Sequence, residues 1–426
     1  MKKMFFIILT LLICQFSVQA DLMDYVSKKD DSFSWKITEK QALPNGAEKI
    51  EVEMVSQTWQ DIEWKHRLRI VKPKEISNPS KASIYITGSG SGRQELFIAG
   101  TIASAIKAPV AVLHDVPFQP LFGGKNEDAL IAYTFIKAME TGDMDWPLLF
   151  PMTKTAVRAM DTMQLLFRKE YEIGIDGFVL AGGSKRGWTT WLTAAVDKRV
   201  KGILPAVYDN LDLISQMKHQ LEAWGKYSEQ IRDYTKLDIP QRLKTNPELQ
   251  ELSRLVDPYT YLDRVTMPKV IVIGTNDRYW PLDALNLYYD DLKGESYILY
   301  VPNKGHGVDD IDRIVGGWIA FFKKVDGKIK FPDLKWNYDE NPSGLELYIE
   351  SDIMPESISV WTSKSDTRDF REVKWQRTEI EPKGSIYSYT LETPEEGYAA
   401  IFGEAVYKAD GKEYYLSTNV RILKAE

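Results

Sequence analysis

The sequence predicts an α/β protein with a doubly wound, mostly parallel sheet, a helical cap insertion and a C-terminal all-β sandwich. Three observations carry this. Between residues 83 and 325, short strands that are apolar on both faces alternate with helical stretches, as in a parallel sheet covered on both sides. A polar, helix-prone stretch at about 211–262 interrupts that alternation between the fourth and fifth strands. Beyond Val325 the texture changes to short runs alternating apolar and polar residues, spaced by turns.

Residues 21–80 read as antiparallel strands with polar connections, because Ser32–Ile37, Ile50–Val55 and Trp64–Val71 each alternate. The buried-looking strands follow: Ser83–Thr87, Pro109–His114, Phe178–Ala181, Val200–Val207, Lys269–Gly274 and Tyr297–Val301. Helical stretches lie between them at Leu96–Ile106, Asp128–Met139, Thr153–Lys169 and Trp188–Val196, and Ile311–Val325 closes the unit. The insertion, with helices at Leu213–Glu222 and Glu248–Leu255, is placed to cap the carboxyl edge of the sheet. Strand-like runs in the tail include Leu345–Ile349, Ser357–Trp361, Tyr387–Leu391, Tyr398–Phe402, Tyr414–Thr418 and Val420–Leu423. The expected organisation is a signal peptide at 1–20, an α/β domain at 21–328 and a β-sandwich at 329–426.

Lys2 and Lys3, the apolar run Met4–Cys14 and the small residues Val18 and Ala20 make an export signal with cleavage after Ala20, so the mature chain is expected in the periplasm or secreted. Gln15 ends the run short of a membrane span. The one cysteine, Cys14, leaves with that segment, which excludes disulfides, thiolate zinc sites and a cysteine nucleophile. The net charge of −7 becomes −9 once Lys2 and Lys3 are gone, and no long basic run exists, so nucleic acid is not an expected partner. No second apolar stretch approaches membrane length.

Chemistry concentrates in three loops. Gly182-Gly183-Ser184-Lys185-Arg186-Gly187 lies between a strand and a helix, the context in which a sharp turn lifts a nucleophilic serine above a sheet edge. The usual pattern has glycine two residues after the serine; here Arg186 stands there and glycine comes at three. The fifth strand runs into Asn276-Asp277, and the sixth into Asn303-Lys304-Gly305-His306-Gly307. Ser, Asp, His is the chain order of an α/β-hydrolase triad, with Ser184 as nucleophile, Asp277 as acid and His306 as base. Of the four histidines, only His306 occupies a glycine-rich loop after a late strand. Lys185 N–H and the Gly88-Ser89 loop would form the oxyanion hole. Arg186 is a candidate for a substrate carboxylate or sugar, or for a salt bridge holding the elbow. No metal site is expected: the strand-end pair His114-Asp115 has no second ligand cluster at a suitable spacing. No cofactor is called for.

The sequence resembles the PhoPQ-activated pathogenicity-related protein family. The resemblance is carried by Asp24-Tyr25-Val26, Glu127–Thr134, Pro151–Asp161, Gly182–Trp188, Gly274–Asp277, Lys304–Gly307 and Thr367–Arg371. It spans nearly all of the mature chain and implies an α/β-hydrolase-like, virulence-associated protein. The elbow is also similar to that of glucuronoyl esterases, where a basic residue follows the serine; here that residue is Lys185 rather than arginine.

The reading these residues support is a secreted serine hydrolase of ester or amide bonds, carboxylesterase or peptidase-like, acting on a small-molecule or peptide substrate. Its rival is a secreted binding or signalling protein on a hydrolase scaffold. A third is a carbohydrate-directed esterase whose tail aromatics Trp361, Trp375, Tyr387 and Tyr389 stack on sugars.

Overall fold

The computed structural model describes residues 21–425, so the export signal read in residues 1–20 lies outside the described residues. Three antiparallel strands lead: β1 (Ser34–Ala42), β2 (Glu48–Trp59) and β3 (Ile62–Lys72). Six follow in the alternating region: β4 (Lys81–Ile86), β5 (Val110–Leu113), β6 (Gly177–Gly183), β7 (Val200–Ala206), β8 (Lys269–Gly274) and β9 (Ser296–Val301). They pair in parallel in the order β5-β4-β6-β7-β8-β9, with β3 antiparallel on the outer side of β5.

The alternation along one strand shows why both faces are apolar. Phe178 and Leu180 of β6 join a core on one face with Phe167, Trp191 and Leu192, while Val179 and Ala181 join a second core on the other with Ile102, Trp318 and Ile319. A period-2 strand apolar at every position has two faces to bury, and helices on each side bury them.

The helices are α1 (Leu22–Ser27), α2 (Arg93–Ile106), α3 (Glu127–Thr141), α4 (Leu149–Tyr171), α5 (Lys185–Val196), α6 (Leu213–Trp224), α7 (Arg232–Thr235), α8 (Ile239–Arg242), α9 (Pro247–Val256) and α10 (Ile311–Val325). The short α1 corrects the expectation of strands and polar connections alone from residue 21. Asp21 caps it by accepting from Asp24 N–H at 2.7 Å, and Leu22 and Tyr25, three apart, are buried on one face. Helices α6 to α9 form the insertion between β7 and β8. Its two ends are stitched by Asp257, whose carboxylate accepts from the backbone N–H groups of Leu213 at 2.7 Å and Tyr259 at 3.0 Å.

Nine further strands make up the tail: β10 (Leu334–Asn341), β11 (Gly344–Ser351), β12 (Ser357–Ser365), β13 (Gln376–Ile380), β14 (Pro382–Lys383), β15 (Ile386–Glu392), β16 (Tyr398–Ala409), β17 (Lys412–Ser417) and β18 (Arg421–Lys424). All pair antiparallel within two sheets, β10-β11-β15-β14 and β17-β16-β12-β13, with β18 on β16. Leu347 and Ile349 of one sheet share a core with Ile358, Val360 and Ile401 of the other. The second sheet is not free-standing: Ser417 of β17 pairs with Ile298 of β9, which joins it to the edge of the parallel sheet.

Candidate active site

Strand β6 delivers Ser184 to the carboxyl edge of the sheet. The residue has φ 57° and ψ −128°, a strained conformation for a side chain with a Cβ. The glycines around it are there for space. A Cβ on Gly182 would lie 2.5 Å from the Arg186 carbonyl oxygen, and one on Gly187 would lie 2.9 Å from that of Ala206. Gly187, three residues after the serine, is therefore the position where α5 crosses β7 closely. Arg186, which stands where the usual motif has glycine, points its side chain elsewhere.

The acid and base loops meet at the ends of β8 and β9. His306 Nδ1 and Asp277 Oδ2 are 2.8 Å apart, and Asp277 Oδ1 accepts from Tyr279 N–H at 2.9 Å. Asp277 is buried, and the His306 side chain is about a quarter exposed. A Cβ on Gly274 would lie 2.4 Å from the Gly305 carbonyl oxygen, so glycine at the end of β8 lets the histidine loop close over it. The ring of Tyr279 stacks on His306 with centroids 4.1 Å apart. His306 Nε2 is buried without a hydrogen-bond partner, and no hydrogen bond joins it to Ser184 Oγ. Such contacts are commonly long in a site without substrate and tighten in the complex.

Two acidic residues at the start of α3 hold the residues after the serine. Lys185 Nζ lies 2.8 Å from Glu127 and 3.5 Å from Asp128. Arg186 grips both oxygens of Glu127, at 2.6 and 2.7 Å, and donates through Nε to the Val116 carbonyl at 2.5 Å. Burial works against the charge on Glu127, but Arg186 and Lys185 outweigh it and hold the carboxyl at about 2. With all three guanidinium nitrogens engaged, Arg186 has the elbow-holding salt bridge rather than a free fork for substrate. Gly88 lies against that fork: a Cβ there would be 2.5 Å from Arg186 Nη2. Ser89 follows on the exposed side. Lys185 N–H belongs to the first turn of α5, whose N–H groups have no intrahelical partner.

Several features of the site were not singled out from sequence. Asp128 accepts from the hydroxyls of Tyr234 at 3.2 Å and Tyr279 at 3.4 Å, linking the elbow, the cap and the residue stacked on the base. Asp209, after β7, is fully buried; burial pushes it up to about 8 against the hydrogen bond from Tyr288 (2.8 Å). Loop 370–375 of the tail reaches the loops that carry Asp277 and His306. Asn276 donates to the Val373 carbonyl at 2.7 Å, and Asn303 exchanges hydrogen bonds with the Trp375 backbone at 2.7 and 3.2 Å. The available signal was the family-like Thr367–Arg371 segment, which overlaps the start of that loop.

His219 and His66 are held by hydrogen bonds away from Asp277. His219 bonds Asp283 at 2.7 Å between the cap and the loop after β8. Asp115, beside His114, is paired with Arg67 at 2.9 Å, and among the described residues no group of three or more His, Cys, Asp or Glu side chains has the arrangement to hold a metal. His66 is buried on Ser56 Oγ (3.0 Å) and the His114 carbonyl (3.3 Å), and burial pushes it from 6.5 down to about 4. The native state therefore binds this proton more weakly than the unfolded chain. The neutral ring is fully compatible with folding above pH 6.5, and stability falls as pH drops from 6.5 through 4, by about 3 kcal/mol for this group. Urea melts of wild type and His66→Gln between pH 7 and 4 are expected to show a shallower acid decline in the variant; parallel declines would contradict the assignment.

A parallel sheet with a strained serine at the strand-to-helix turn after β6, an acid after β8 and a histidine after β9 defines the α/β-hydrolase class. An acetyl xylan esterase from a Paenibacillus species superposes with a TM-score of 0.51 at 13% identity, covering 72% of this chain and 92% of that one. A second, from a Thermoanaerobacterium species, has a TM-score of 0.46 at 16% identity, covering 67% and 86%. The chain belongs to the PhoPQ-activated pathogenicity-related protein family, whose model matches residues 22–371. It is 31% identical to autocrine proliferation repressor protein A of Dictyostelium discoideum over 452 aligned residues, covering 95% of this chain and 89% of that protein. Among the described residues no helix is long and apolar enough to cross a membrane.

Proposed function

We propose that the mature chain is an exported serine hydrolase acting on ester or amide bonds through Ser184, His306 and Asp277. The observation that carries the reading is the 2.8 Å contact of His306 Nδ1 with Asp277 on the same sheet edge where Ser184 is held in a strained turn. With Nδ1 committed to the carboxylate, Nε2 is the nitrogen left to act as base. Ser184 Oγ attacks the carbonyl carbon as its proton passes to His306 Nε2, and Asp277 stabilises the imidazolium. Lys185 N–H and the Gly88-Ser89 loop take the oxyanion. Collapse expels the alcohol or amine, which leaves with the proton from His306, and water then hydrolyses the acyl-enzyme by the same route. Cleavage after Ala20 would release this protein into the periplasm or medium.

The test is to treat the chain from Asp21 onward with a fluorophosphonate and locate the adduct by mass spectrometry, beside Ser184→Ala. Labelling of Ser184 in wild type and none in the folded variant is the expected result. A folded wild type that is never labelled would sink the reading and leave a secreted binding protein, a role consistent with the name of the Dictyostelium relative.

A further inference from the structure

The cap encloses a cavity with Ser184 in its wall, and the composition of that wall is selective. The space measures about 750 Å³ including its mouth. Trp188 of α5, Met217 of α6, Leu249 and Leu252 of α9, and Trp280 after β8 are among its buried apolar walls. The two charged groups in the lining, Lys185 and Asp128, belong to a balanced cluster with Glu127 and Arg186, and Asp128 also takes both tyrosine hydroxyls. Among the lining side chains, the Tyr208 hydroxyl, Asn210 Oδ1 and Trp280 Nε1 are buried polar atoms with no hydrogen-bond partner, too few for a ring of hydroxyls. A sugar ring carries several hydroxyls, each of which loses its water on entry and needs a partner here. A hydrocarbon or aryl group needs none, and this wall offers it mostly apolar contact.

The cavity also has a side. Tyr279 both lines it and stacks on His306 at 4.1 Å, while His306 is not part of the wall. The phenol ring that lines the cavity is thus packed directly on the base. The leaving group receives its proton from His306, which is not among the lining residues, and the cavity is assigned to the acyl portion. From this we infer that the cavity beneath the cap is an acyl pocket for an unbranched apolar or aryl acyl group of medium length. The inference rests on the serine hydrolase reading and specifies its substrate class.

The experiment holds the leaving group constant and varies the acyl chain: 4-nitrophenyl acetate, butanoate, hexanoate and octanoate. Burial of each methylene is expected to raise kcat/KM about fourfold until the cavity is full, so hexanoate should exceed acetate on the order of a hundredfold. In Met217→Trp and Leu252→Trp, each checked for folding by circular dichroism, the added bulk should lower the hexanoate-to-acetate ratio at least tenfold, to the order of ten or less. Ethyl and hexyl acetate serve as the alcohol series, and little difference between them is expected. A flat or falling acyl series, or a preference that follows the alcohol instead, would overturn the inference while leaving Ser184-dependent hydrolysis standing.

A second arm does not depend on turnover. Ser184→Ala is titrated with 4-nitrophenyl hexanoate and acetate, and quenching of Trp188 and Trp280 is read. Saturable quenching by hexanoate at concentrations where acetate has no effect supports the pocket even if wild type hydrolyses neither ester. No quenching by hexanoate would overturn the pocket, whether or not wild type hydrolyses acetate.

Discussion

Asp277→Asn is expected to lower kcat about 10⁴-fold on an ester substrate, with KM and the melting temperature nearly unchanged. The structure says how. Asp277 Oδ1 is held by Tyr279 N–H at 2.9 Å, and this bond needs an acceptor. In the variant the amide oxygen keeps that place, which turns the new NH₂ group toward His306 Nδ1. That nitrogen now has to accept, so the ring carries its proton on Nε2 and cannot take one from Ser184. Steady-state kinetics and the rate of fluorophosphonate labelling both report the loss. A fall of less than tenfold would mean that Asp277 does not set the tautomer of a working base.

Removing the two asparagine tethers together, as Asn276→Ala with Asn303→Ala, is expected to lower kcat on the order of a hundredfold and to cost roughly 3–5 kcal/mol of stability. Asn276 precedes the acid directly, and Asn303 stands three residues before the base. Both are held by the Phe370–Trp375 backbone, with Asn276 also within 3.3 Å of the Arg371 carbonyl. The same tail segment pairs Arg371 with Glu229 of the cap at 2.9 Å and sets its guanidinium over the Trp224 ring at 4.1 Å. Loss of the tethers should separate the loops without touching the acyl pocket, so kcat falls while KM for a medium-chain ester changes little. A stability loss with kcat intact would make the tail a structural support and nothing more. This connection also accounts for Trp375, which is buried rather than presented to a sugar, and for Trp361, which stacks on Phe402.

Legibility followed the range of the forces involved. The elbow, the acid loop and the histidine loop could be read in the chain because each sits at the end of an apolar strand and carries its own glycines. Steric need is local: Gly182, Gly187 and Gly274 face backbone atoms that no side chain could displace. The positions of most strands and helices along the chain follow in the same way, from apolar period and length, whereas their order in the sheet does not. Arg186 could be read only as two alternatives, since its partner Glu127 lies 59 residues away and nothing nearby in sequence marks the pair.

Tertiary packing decided the rest. Asp209 is pushed up by its burial, and Tyr279 is a stacking partner because the loops after β8 and β9 close on each other. The edge pairing of β17 with β9 rests on the backbone at Ser417 and Ile298 and on the Ser417 hydroxyl, which accepts from Tyr300 N–H at 3.1 Å, and neither shows in the apolar pattern. The same holds for loop 370–375, which offers mostly carbonyls to Asn276 and Asn303 across 72 to 97 residues. Order along the chain thus marked Ser184, Asp277 and His306 as the candidates, through strand ends and glycines. Which groups hold those residues still, and what the cavity beside them admits, depended on the meeting of distant backbone and apolar surfaces that share no local signature.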